Sequence, residues 1–195
     1  MNRFSFYRAP ISNTVPHRTV GIEQIYNAIR GEYYRESTEQ LRALCRRVEE
    51  GSATRRDVQR FKARHFDYAT FSGEFTRRGE EGLLRHSGLI CFDFDHIGGW
   101  KGGEGIGGVY GLRYVLSRDP SLDTVLLFRS PGGDGLKWVV AVDLARATHA
   151  EWFDALSCYV ARNYGVETDP SGRDVARSCY LPWDPEALML ERRRL

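Results

Sequence analysis

The chain has no apolar run approaching the roughly 20 residues that a membrane helix requires. Its first ten residues, MNRFSFYRAP, contain no apolar segment of the secretory kind. Cysteine is scarce: Cys45, Cys91, Cys158 and Cys179 are far apart, and no C-x-x-C occurs. This excludes a zinc knuckle and a disulfide scaffold, and a reducing, cytoplasmic setting is expected. Lysine is rarer still for a chain with 28 basic residues, being confined to Lys62, Lys101 and Lys137. The remaining basic residues are arginines, which suit forked contacts to phosphate but are equally what a GC-rich genome produces. A large excess of either charge is also missing: the net charge is +2, too small to announce a protein wrapped around nucleic acid. What remains is ordinary globular composition, with 42% apolar and 28% charged residues in 195, enough for one core with an appendage.

The near-neutral sum hides an asymmetry. Residues 1–86 carry 16 basic and 11 acidic side chains, whereas residues 87–195 carry 12 and 15. A phosphate-binding front half beside a cation-binding back half would have this distribution, and so would chance.

Periodicity predicts three helices in the front half. One runs from a Thr19 cap to Arg30, a second follows a capping box at Ser37–Gln40, and a third opens at Thr54 and reaches about His65. The period then shortens. Residues 68–75 and 88–95 read as strands, 109–117 as a helix, 124–130 and 136–143 as a hairpin, and 147–164 as an amphipathic helix. A short strand is expected at 178–181 and a helical, basic tail beyond Pro185. Residues 98–108 hold seven glycines and read as a loop without the G-K-[ST] context of a phosphate-binding P-loop. The hairpin implies antiparallel pairing, so the expected class is α+β. Within it we expect a two-layer sandwich with a mainly antiparallel sheet. The expected organisation is a helical extension over 1–66, a core over 67–186 and a basic tail over 187–195.

Three clusters carry chemistry. Strand alternation places Asp93 and Asp95 on one face with Cys91, at the end of a strongly apolar run. Two carboxylates about 7 Å apart repel unless a cation lies between them, and oxygen ligands favour Mg²⁺ or Mn²⁺. Two solvated acids at a strand end would look the same. The second cluster is the run SPGGDGLK from Ser130 to Lys137, where Gly132, Gly133 and Gly135 allow close approach and exposed amides to cradle phosphate. Lys137 would add a point charge. An ordinary hairpin with a surface lysine is the plainer alternative. The third is Asp169 to Arg177, where a carboxylate and arginines would complete a metal–triphosphate site, or would merely build an Asx turn. Of the five histidines only His96 neighbours these acids.

Residues 86–95 (HSGLICFDFD), 130–137, 169–177 (DPSGRDVAR) and Asp184-Pro185 together resemble the N-terminal domain of virulence-associated E-type proteins, also called the BT4734-like N-terminal domain. Lys62 and residues 69–77 add to the likeness, which spans roughly residues 60–186. That family is placed in the archaeo-eukaryotic primase superfamily of primase-polymerases. The resemblance implies an RRM-like sheet and two-metal, template-directed nucleotidyl transfer on single-stranded DNA with nucleoside triphosphates. It implies Asp93, Asp95 and Asp169 as catalytic metal ligands for two Mg²⁺ or Mn²⁺ ions, with Asp174 as the alternative third acid. Ser130, Gly132, Gly133, Gly135, Lys137 and Arg177 would bind nucleotide, and Arg77 and Arg78 would contact template. Lys137 stands where many relatives have histidine. A fused or separate helicase is an expected partner, and no membrane is expected. Two other readings stand beside this one. The first is a catalytically weak nucleic-acid-binding module of the same fold. The second is a haloacid-dehalogenase-like phosphatase, suggested by the FDFD motif.

Overall fold

The computed structural model of the chain describes residues 2–102 and 106–191. The most apolar stretch, Leu89-Ile-Cys-Phe-Asp-Phe94, forms strand β6. The sequence up to that point supplies β1 (Arg3–Tyr7), β2 (Arg18–Gly21), α1 (Ile22–Arg30), α2 (Arg35–Glu49), α3 (Arg55–His65), β3 (Tyr68–Thr70), β4 (Gly73–Phe75) and β5 (Leu83–His86). After β6 come α4 (Gly108–Arg118), β7 (Thr124–Arg129), β8 (Leu136–Ala141), α5 (His149–Tyr164), β9 (Cys179–Tyr180) and β10 (Leu188–Met189). The fold is α+β, and every named strand pair is antiparallel.

The second half of the chain builds a sheet in the order β10-β7-β8-β6. Alternation sorts β6 into two faces. Ile90, Phe92 and Phe94 pack with Leu136, Trp138 and Val140 against Val109, Leu112 and Leu116 of α4 and Phe153, Leu156 and Val160 of α5. Leu89 and Cys91 look the other way, with Val139 and Ala141 of β8, onto Phe4, Phe6 and Phe71. Those aromatics belong to, or adjoin, a second sheet in the order β2-β1-β3-β9. Two apolar layers therefore sandwich the β6 sheet, and burying them is the main favourable term in its stability.

The second sheet departs from the expected helical front end. Residues 3–7 and 18–21 are strands: β1 pairs with both β2 and β3. The helix expected from Thr19 begins only at Ile22, because Thr19 is paired with Ser5. The capping box expected at Ser37 is not formed either. Helix α2 grows directly from a 3-10 turn at 32–34, and the Ser37 hydroxyl donates back to the Tyr34 carbonyl. Thr54 does cap α3, in a reciprocal box with Asp57. The segment expected as one strand over 68–75 is β3 and β4 separated by a turn. The tail is not helical where it is described: Leu188 and Met189 pair with the open edge of β7. Residues 192–195 lie outside the described residues.

Strand β9 does not join the β6 sheet. It pairs with β3 in the other sheet, leaving β6 at an edge. The turn at 169–173 lies along that edge, with the Asp169 amide donating to the Asp93 carbonyl at 2.8 Å. This contact carries the third sequence cluster to the first.

Candidate metal and nucleotide site

Asp93 and Asp95 stand at the C-terminal end of β6. Asp93 faces Lys137 in the antiparallel register of β6 and β8, so both side chains emerge on one face of the sheet. Lys137 is buried and its ammonium closes a salt bridge on Asp93 Oδ2. Burial lowers the Lys137 pKa and neighbouring Lys62 and Arg177 lower it further, while the Cys179 and Cys91 sulfurs oppose them. The other oxygen, Asp93 Oδ1, is buried with no hydrogen-bond partner among the described residues.

Asp169 reaches this point because the turn that follows it is pinned. Its Oδ1 accepts the Ser171 amide at 2.9 Å and its Oδ2 accepts Arg177 at 2.9 Å. Burial pushes the Asp169 carboxyl up, but the Ser171 hydrogen bonds together with Arg177 and Lys137 outweigh it and hold the group below its ordinary range. Gly172 makes the close packing possible: a Cβ there would lie 2.7 Å from the Phe153 ring and 3.1 Å from the Cys91 carbonyl.

The result is one cluster. An oxygen from each of Asp93, Asp95 and Asp169 lies within 4.8 Å of the others. Three carboxylates that close repel one another, the more so for the half-buried Asp93 and Asp169 than for the exposed Asp95. Lys137 and Arg177 offset part of that charge, and the unpartnered Asp93 Oδ1 is an acceptor with nothing to accept. An all-oxygen donor set of this kind fits Mg²⁺ or Mn²⁺. Asp174 is outside the cluster: its Oδ1 accepts the Ala176 amide and shapes the turn.

The glycine hairpin closes over the same end of the sheet. Ser130 uses its hydroxyl internally, accepting the Gly135 amide at 3.0 Å, and its carbonyl accepts the Gly133 amide. The amides of Gly133 and Gly135, expected to be exposed to phosphate, therefore shape the loop instead. The hairpin tip is tied to the segment after the acids: Asp134 bonds His96 Nδ1 at 2.7 Å and accepts from the Gly98 amide. His96 is thus a neighbour of the site through Asp134. Residues 103–105 of the glycine loop lie outside the described residues.

Arg77 is exposed, and Arg78 lies over the Tyr68 ring at 5.1 Å. Tyr68 is edge-on to Tyr180, whose hydroxyl is within electrostatic reach of both Arg78 and Arg177. A band of alternating cations and rings thus leads from Arg78 to the acid cluster. A cavity of about 730 Å³ lies elsewhere, beside α4 and α5, and is lined by Trp100, Tyr114, Tyr159 and Tyr164 but by none of the three acids.

Sequence reasoning missed several cations here. Arg42 of α2 and Arg129 of β7 flank Gly133, and Lys62 of α3 lies within electrostatic reach of Lys137. Arg42 belongs to a helix far away in sequence, and only packing brings it in. Asp184, quoted above for its motif, is structural: it is buried and bonds Arg113 and the Arg129 amide, both at 2.6 Å.

A family model described as BT4734-like, N-terminal domain, matches residues 60–189. The chain belongs to this family. The matched span contains all three acids, the hairpin and the Asp169 turn, whereas β1, β2, α1 and α2 precede it. No curated protein and no solved structure matches the chain. No helix among the described residues is long and apolar enough to cross a membrane.

Proposed function

We propose that this BT4734-like domain is a metal-dependent nucleotidyltransferase of the primase-polymerase type, acting on single-stranded DNA with nucleoside triphosphates. The observation that carries the reading is the convergence of Asp93, Asp95 and Asp169 around a buried oxygen without a donor, beside Lys137 and the glycine hairpin. Two divalent ions held there would activate a 3′-hydroxyl and neutralise the charge of the leaving pyrophosphate. The three acids would hold those ions. Arg177 keeps Asp169 in place and presents its exposed edge to phosphate. Lys137 neutralises part of the Asp93 charge and would add a positive charge beside the triphosphate of a bound nucleotide. Arg78, Tyr180 and Arg177 supply the mixture of cations and rings on which a single strand stacks and is neutralised.

One observation favours a second reading, the non-catalytic binding module. Lys137 already satisfies one oxygen of Asp93, so the site holds together without metal. The phosphatase reading fares worse, because a six-residue hairpin connection joins β7 directly to β8 and leaves no helix between Ser130 and Lys137.

The test incubates the protein with primed single-stranded DNA, labelled nucleotides and Mn²⁺, beside the Asp93→Ala/Asp95→Ala double variant. Metal-dependent extension by the wild type, lost in the variant, supports the proposal. Salt-sensitive DNA binding without extension, unchanged in the variant, supports the binding module. Release of phosphate from a simple monoester points to the phosphatase.

A further inference from the structure

Gly133, at the tip of the hairpin, has φ near +90°, a conformation that favours glycine. Two guanidinium groups press on it. A Cβ built there would lie 3.2 Å from Arg42 Nε and 3.5 Å from Arg129 Nε. Arg129 Nε donates to the Gly133 carbonyl at 2.5 Å. Arg42 is less well provided for. Among the described residues its Nε is buried with no partner, and its only hydrogen-bond acceptor is the Trp183 carbonyl at a long 3.4 Å.

Neither guanidinium makes a salt bridge among the described residues. The nearby Asp184 carboxylate is committed to Arg113 and to the Arg129 amide. Burial lowers the Arg42 pKa, and the like charge of Arg129 adds to that effect. Two arginines side by side, one with an unmet buried donor, are stabilised by an acceptor that offers several oxygens and negative charge. A phosphate group does so, and its geometry suits a guanidinium fork.

We propose that Arg42 and Arg129 form an anion pocket at the hairpin tip that binds the phosphate tail of the incoming nucleotide. The inference rests on the nucleotidyltransferase reading and extends it to α2, a helix outside the span that the family model matches. The other side of the loop supports the same direction. Cys45 of α2 approaches Gly132, and Lys62 lies near Lys137, so the helical front end brings further positive charge to the hairpin. Sequence separation explains why no local motif marks Arg42.

The test is calorimetric binding of inorganic tripolyphosphate in EDTA at low salt, with wild type, Arg42→Gln and Arg42→Lys, and fluorescence binding of a single-stranded oligonucleotide in parallel. Thermal unfolding of each variant shows that it is folded, and Arg42→Lys keeps the charge if the glutamine variant fails to fold. The expected result is a tenfold or greater loss of tripolyphosphate affinity in Arg42→Gln and a smaller loss in Arg42→Lys, with oligonucleotide affinity within twofold of wild type. Absence of tripolyphosphate binding by the wild type overturns the pocket. So does an unchanged affinity in both variants, or a loss confined to the oligonucleotide. Tripolyphosphate binding that depends on Arg42, in a protein that extends no primer, leaves the pocket standing and removes the polymerase reading instead.

Discussion

Lys137 on β8 and Asp93 on β6 face each other in register and form a salt bridge, so the acid cluster carries its own buried cation. Any divalent ion must share Asp93 with that ammonium. Lys137→Met should therefore raise Mn²⁺ affinity by about tenfold, equivalent to ~1.4 kcal/mol of relieved repulsion. Nucleotide incorporation should fall in the same variant. Electron paramagnetic resonance of free Mn²⁺ reads the affinity, and an unchanged value would show that Lys137 does not compete with metal.

Asp169 depends on the fit of its turn against β6. Gly172→Ala places a Cβ against the Phe153 ring and the Cys91 carbonyl. Crowding of this kind costs about 1–3 kcal/mol. Because the turn must shift away from β6, Mn²⁺ affinity should drop along with stability. Urea denaturation and a Mn²⁺ titration of the same variant check both effects. A stability loss with metal affinity intact would mean that the position of Asp169 does not depend on the fit of its turn against β6.

Asp184 serves the scaffold. It is buried, with Oδ2 bonded to Arg113 and the Arg129 amide and Oδ1 to the Glu186 amide. Asp184→Ala strands the buried Arg113 guanidinium and should cost about 3–5 kcal/mol. Chemical denaturation measures this directly.

His86 and His149 form a directional chain. The Gly88 amide donates to His86 Nδ1, so His86 carries its proton on Nε2 and donates to His149 Nδ1 at 3.0 Å; His149 Nε2 then donates to the Gly172 carbonyl at 3.2 Å. Both rings must be neutral for this arrangement. Burial, and then the neighbouring His149, lower the His86 pKa from 6.5 to about 4. The unfolded chain therefore binds the proton more readily than the folded one between pH 6.5 and about 4. Stability from this group is complete above pH 6.5 and declines as pH falls through that window. The expected loss is on the order of 2 kcal/mol, reduced in His86→Gln. Unfolding free energies measured from pH 7 to 4 in both proteins test the sign and the size.

Local pattern predicted the elements that locate the acids. The apolar run of β6 and its alternation put Asp93 and Asp95 on one face, and the glycine-rich connection marked the β7–β8 hairpin. The pairing of β6 with β8, which local pattern did not give, is what brings Lys137 onto the face where Asp93 lies. Local pattern failed where an open sheet edge decided the outcome. Thr19 serves as well for a helix cap as for a strand, and pairing with Ser5 chose the strand. Leu188 and Met189 follow a helix-compatible stretch, yet the free edge of β7 takes them as a strand. The departure of β9 to β3 was equally hidden, although it frees the β6 edge for the Asp169 turn. Arg42 and Arg129 carry no motif, since their meeting at Gly133 exists only after α2 packs on the hairpin.

The proposed activity requires Asp93, Asp95 and Asp169 to hold metal for templated nucleotidyl transfer. Its most direct measurement is labelled-nucleotide incorporation opposite a homopolymeric single-stranded template, with Mn²⁺ or EDTA, in wild type and in Asp93→Ala/Asp95→Ala. The expected result is uptake of the complementary nucleotide only, dependent on Mn²⁺ and reduced by at least about a thousandfold, or ~4 kcal/mol, in the double variant. Uptake that persists in the double variant, or that ignores the template base, would contradict it.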